Sequence, residues 1–226
     1  DHYYIPYSTS DAGGGKYGAE YKLSASTTFW PLQIKGLLFY EITEKNHPEN
    51  TGIGKTKTAL LKQRYRVHID YAVSESITFR LRSEWSVYNH SSVNTGHLVF
   101  MDMRYTTSDK SFYTIVRYAL FDTDDYNSRI YAYEHDLLFS YSIPAFHGNG
   151  YRLYLVSRLK TGKNLRIWVK AGMLHQGTYR YDPTLQKIGS CSNKFDLRIQ
   201  AIYYFKKKPT GKRLLFFLTK KRITKE

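Results

Sequence analysis

Three groups of residues in this chain have types and spacings that could do chemistry. The stretch "YEHD" gathers Glu134, His135 and Asp136, able to transfer protons or hold a cation if all three converge. "TGIGKTKT" closes on Gly54-Lys55-Thr56, the ending of a phosphate-binding loop. The third group is basic: Lys62, Arg64, Arg66, Arg80, Arg82, Arg104, Arg117, Arg152, Arg158, Arg166, Lys170 and Arg198. It is interleaved with Asp70, Glu84, Asp102, Glu134, Asp136 and Asp196. Rings of Arg and Lys favour anions in pores, and intermixed carboxylates would neutralise them by pairing.

The first two groups are weak. The phosphate motif needs a glycine five positions before Gly54, where this chain has Glu49, and a helix after it, where this chain alternates like a strand. A long polar turn is the better reading. In an extended strand, neighbouring side chains point to opposite faces, so Glu134 and Asp136 part from His135. The expected use is a carboxylate pair held by arginines of neighbouring strands, with Ca²⁺ coordination the minor alternative. The histidines are scattered, with no H-E-x-x-H. The single cysteine, Cys191, excludes an internal disulfide framework and a cysteine-based zinc site. We expect no catalytic residues, no metal and no cofactor; a hydrolase would need a Ser/His pair brought together at one rim.

The elements that must position the basic set are written in the alternation. In "ITFRLRSEWSV", Ile77, Phe79, Leu81, Trp85 and Val87 alternate with Thr78, Arg80, Arg82, Glu84 and Ser86. The same period-two pattern recurs in "KYGAEYKLSASTTFW", "QIKGLLFYEIT", "LKQRYRVHIDYAV", "HLVFMDMRY", "IYAYEHDLLFSYSI", "YRLYLVSRLK", "LRIWVKAGM" and "FDLRIQAIYYF". "SFYTIVRYALF" is apolar on both faces apart from Arg117, and Leu98 and Phe100 blur "HLVFMDMRY". That makes about ten strands. Turn-forming stretches such as "VSES", "TTSDKS", "DTDDYNS", "HGNG" and "KTGKN" separate most of them. Two connections are longer, "EKNHPENTGIGKTK" and "YRYDPTLQKIGSCSN". Counting ten strands back from Phe205 sets these two at opposite ends.

A soluble sandwich would turn the charged face to water. Three features favour the inverse, with apolar side chains to lipid and charges to a confined lumen. The segments approach the ~9–11 residues a tilted transmembrane strand needs. Both charge signs share one face. Tyrosines (Tyr17, Tyr40, Tyr71, Tyr88, Tyr105, Tyr131, Tyr141, Tyr151, Tyr203) cluster near segment ends, as in interfacial aromatic girdles. The apolar runs are too short for a spanning helix. Net charge is +15 over 226 residues, and residues 206–226 hold nine Lys/Arg against one Glu, supplying +8 of it. We read residues 1–205 as the barrel and 206–226 as a basic, disordered tail. The chain opens at Asp1 with no basic-then-apolar leader, as a mature form or a piece of a longer protein would.

"FDLRIQAIYYF" resembles the C-terminal signal strand of bacterial outer-membrane barrels, with Phe205 as its closing aromatic residue, although 21 residues follow it. "YAYEHDLLFSYSIPAFHGNGYRLYLVSRL" and "NLRIWVKAGM" are similar to the C-terminal barrel region of helix-hairpin-helix-containing outer-membrane proteins of Bacteroidota, over about Tyr65 to Phe205. No helix-hairpin-helix portion is present. The resemblance implies a bacterial outer-membrane location, lipid surroundings, and recognition by barrel assembly machinery.

The expectation is therefore an all-β, antiparallel up-and-down transmembrane β-barrel of about ten strands, alone or as part of a larger barrel. It would act as a membrane anchor or as an anion-selective pore passing anionic solutes. A soluble all-β barrel or sandwich binding an acidic partner is the alternative, and an outer-membrane hydrolase a third; nucleic acid is not an expected partner.

Overall fold

The alternating segments fold as long antiparallel strands, with one exception. This computed structural model describes residues 2–5, 16–46, 57–90, 92–177, 191–204 and 218–219. Its strands are β1 (His2–Ile5), β2 (Lys16–Phe29), β3 (Leu32–Asn46), β4 (Lys57–Ala72), β5 (Ile77–Asn89), β6 (Val93–Thr106) and β7 (Phe112–Thr123). They continue with β8 (Ile130–Tyr131), β9 (Ala145–Phe146), β10 (Asn149–Thr161), β11 (Leu165–Gln176), β12 (Ser192–Tyr203) and β13 (Leu218–Thr219). All but β8 and β9 form one sheet in the order β1-β2-β3-β4-β5-β6-β7-β10-β11-β12-β13. Its nine long strands run 12 to 16 residues. No helix among the described residues is long and apolar enough to cross a membrane.

One expectation is left unconfirmed and one is corrected. Among the described residues no ladder joins the two edges, so the sheet is open and not a closed barrel. And "IYAYEHDLLFSYSI" is not a sheet strand: β7 pairs directly with β10, from Asp122↔Asn149 to Phe112↔Leu159. The residues between them fold over one face of the sheet as an inlaid hairpin. Its arms meet at β8 and β9 and at a Glu134↔Ser142 bridge. Its tip turns at Phe139, in the left-handed region (φ 63°), where the Ser140 amide donates to Leu137 O. The alternation in this stretch is real, but it comes from one short extended arm. Tyr131 and Tyr133 stay exposed while Ile130, Ala132 and Glu134 are buried.

The correction changes the connections. The turns 30–31, 73–76, 107–111 and 162–164 all lie at one end of the sheet. The connections 47–56 and 177–191, the hairpin and the short turn 90–92 all leave from the other. Both long connections thus share one end, against the expected split.

The hairpin explains where the apolar core sits. Leu98 and Phe100 of β6 and Ala119 and Phe121 of β7 pack with Ile130, Ala132 and Phe146 of the hairpin root. Its tip buries Leu137 against Trp168 and Ile202. Elsewhere this covered face mixes its charged side chains with buried apolar ones such as Phe39, Ile115 and Val156, and the opposite, open face is apolar. On the open face Leu23, Leu81, Val99, Met101, Leu120, Leu155 and Ile199 are exposed.

Candidate functional site

The site is the covered face, and register builds it. One cross-strand row reads Asp70, Arg80, Asp102, Arg117, Tyr154, Gly172, Asp196 from β4 to β12. Opposite charges are direct neighbours along it, the arrangement that stabilises a sheet face. Arg80 Nε donates to Asp70 Oδ1 at 2.7 Å. Arg117 grips Asp102 with two nitrogens, at 2.5 and 2.7 Å. In the neighbouring rows Arg66 makes a two-point contact with Glu84 at 2.9 and 3.1 Å, and Arg82 bonds the same carboxylate. Glu84 keeps only 1% of its side-chain surface and Arg117 2%. Burial on this scale is tolerable only because each charge is paired and hydrogen-bonded.

The hairpin adds its own carboxylates. Glu134 accepts from Arg152 Nε at 3.0 Å and Nη2 at 3.2 Å. Its second oxygen lies 3.4 Å from Lys170 Nζ. Asp136 Oδ2 sits 3.3 Å from Lys170 Nζ and 2.9 Å from Arg198 Nη2. Lys170 is fully buried between the two. Arg152 reaches past Gly172 to Asp196 Oδ1 at 2.8 Å. Arg117 Nη1 donates to Tyr133 O at 2.6 Å, and the His135 amide to Tyr154 Oη at 3.1 Å. The hairpin is thus latched to β7, β10, β11 and β12 by charge-assisted bonds, the stronger kind.

Sixteen of the eighteen charged residues singled out in the sequence lie on the covered face of sheet strands, and Glu134 and Asp136 reach that face from the hairpin. Not all are ion-paired. Lys62 is paired with Glu41 at 3.6 Å, but Arg64 stacks 4.1 Å over Phe39. Arg166 stacks on Tyr204 at 4.7 Å. Arg158 sits 5.4 Å over Tyr113, and its Nε is buried with no hydrogen-bond partner. Tyr88 is buried on this face and Tyr131 and Tyr141 ride on the hairpin, so these three do not belong to a girdle at strand ends. Sequence reasoning passed over Tyr154, which is ringed by Arg117, Arg152 and Lys170 at 5.4, 5.9 and 5.2 Å. Its phase with Arg152 and Arg158 along β10 was the available signal.

No group of three metal-ligating side chains occurs among the described residues. Cys191, His175 and Asn193 do meet at the long-connection end. Cys191 Sγ, however, lies 3.1 Å from one ring nitrogen and 3.7 Å from the other, so it is off the in-plane axis of both. That is poor geometry for a thiol handing its proton to an imidazole. The Gly54-Lys55-Thr56 stretch, Phe205 and all of the tail except Leu218–Thr219 lie outside the described residues; those two pair with β12 at Ala201 and Gln200. No family model matches the chain, and no curated protein is significantly similar to it.

Proposed function

We propose that this chain forms the wall of a bacterial outer-membrane β-barrel and serves as a membrane anchor whose interior is filled by its own hairpin. The observation that carries the reading is the inverted burial. Large apolar side chains such as Met101 (50% exposed) line the open face, while Arg117, Glu84 and Lys170 are buried on the other. Water does not favour that distribution; lipid on one side and a narrow, charge-paired interior on the other do. Strand length and the grouping of both long connections at one end add support, as does the resemblance of residues 65–205 to outer-membrane barrel regions. The short-turn end would face the periplasm, with assembly machinery reading the strand that leads to Phe205.

Passage of anions is the second use the face supports, through the arginines the hairpin leaves without carboxylates, Arg104 and Arg158, at the short-turn end. The test is mobility of refolded protein on SDS gels with and without boiling, beside circular dichroism of a detergent-free sample. We expect a heat-shifted band, and aggregation when detergent is withheld. A β-rich monomer stable in plain buffer would overturn the membrane reading. Planar-bilayer recording then separates anchor from pore: the filled interior predicts little or no conductance in the intact chain.

A further inference from the structure

Between the returning arm of the hairpin and strands β10 to β12 lies a cavity of about 320 Å³, the low end of the range that holds a small organic molecule. Its lining divides by chemistry. Tyr141, Phe146 and Leu174 supply an apolar wall; Arg152, Lys194 and Arg198 supply cations. Glu134 and Asp136 at its border are turned into ion pairs, while Asp196 holds Arg152 through Oδ1 and leaves its buried Oδ2 without a hydrogen-bond partner. Glu134 and Asp136 retain 2% and 1% of their side-chain surface, and Asp196 retains 12%. Arg198 retains 29%, Lys194 is exposed, and among the described residues its ammonium makes no ion pair or hydrogen bond. A visiting molecule therefore meets cations on one side and rings and Leu174 on the other. A purely apolar ligand would leave the two cations without gain.

We propose that this cavity is a resident binding site for a small organic anion, a carboxylate on a compact apolar or aromatic body. The carboxylate would lie between Lys194 and Arg198 and the body against Phe146 and Leu174. This goes beyond the anchor reading and stands on the cavity alone, so it can be tested in whichever solvent the folded chain requires. The probe is benzoate, titrated calorimetrically into the full chain, with benzylamine as the charge-reversed control. We expect saturable one-to-one binding of benzoate, weakening with salt, and none of benzylamine. Lys194→Gln, which touches no ion pair, should keep the circular dichroism spectrum and weaken benzoate at least about tenfold, the worth of one charge-assisted hydrogen bond. Absence of saturable benzoate binding, equal binding of benzylamine, or undiminished affinity in Lys194→Gln each overturns the proposal. None of these outcomes bears on whether the wall sits in a membrane.

Discussion

At Gly172 the space a methyl group would need is already taken: its Cβ would lie 2.7 Å from Asp196 Oδ1 and 3.0 Å from Arg152 Nη2. The glycine is the gap through which Arg152 holds Asp196 while still holding Glu134. Gly172→Ala should cost about 1–3 kcal/mol, the range for overpacking, read as a lower thermal midpoint. Gly36→Ala, with nothing within 4 Å of the new methyl, is the matched control and should cost much less. Removing the hairpin's charge should be harsher. Glu134→Gln leaves Lys170, fully buried, with Asp136 alone as its carboxylate partner. Breaking a buried pair in this way typically costs about 3–5 kcal/mol, and faster chymotryptic cleavage at the hairpin tyrosines should accompany it. His135 brings a pH dependence. Burial, reinforced by Arg117 and Arg104, pushes its imidazole down from 6.5 to about 4, and its Nε2 has no hydrogen-bond partner. Between those values the unfolded chain takes up a proton that the native protein refuses. Stability should therefore fall as pH drops from about 6.5 to about 4. Carboxylates titrate nearby, so the check is the difference between wild type and His135→Gln in thermal midpoint against pH, which should vanish above pH 7.

The hairpin is the element that local pattern could not reveal, and the reason is physical. Ile130 to Glu134 is an extended arm, so its side chains alternate as they would in a long strand, and its turn is made by Phe139, not by a glycine or asparagine. Nine of the ten alternating segments are strands, with the faces that alternation assigns, because there the partner on each side is simply another strand. The clue to the hairpin lay elsewhere. β6 and β7 carry apolar side chains on both faces, and Leu98, Phe100, Ala119 and Phe121 need a cover that a charged interior does not supply. The pairing of Glu134 and Asp136 with Arg152, Lys170 and Arg198 was visible only as a matter of charge; which cations they meet depends on how the hairpin lies, and so was not legible. Because Thr123 and Gly148 already bond across the hairpin's base, residues 124–147 can be replaced by an Asn-Gly turn, which suits two paired strands. The shortened chain should keep its strand signal and its heat-shifted band. It should lose stability, about 2 kcal/mol for each large apolar side chain uncovered, and conduct ions where the intact chain does not.

For the whole molecule the question is which solvent the open face meets, and one substitution distinguishes the answers. Met101 stands mid-strand on β6, half exposed. Against lipid, Met101→Arg should cost about 2–4 kcal/mol; against water, an exposed position should change by no more than about 0.5 kcal/mol. Unfolding in detergent or lipid, followed by tryptophan fluorescence, gives the number. The grouping of the long connections was recoverable only once the hairpin had been taken out of the strand count, since one surplus strand reverses every end that follows it. That corrected count has a further meaning. Nine long strands, each antiparallel to its neighbours, is an odd number, so β2 and β12 run in the same direction. Sewn directly together, they would form a single parallel seam in an otherwise antiparallel wall. The short β1 and β13, already paired outside β2 and β12, are each antiparallel to the long strand they flank, and one such strand laid between β2 and β12 would bring a closed wall to the even count usual for a bacterial barrel. The parity of the sheet thus states what its completion must contribute.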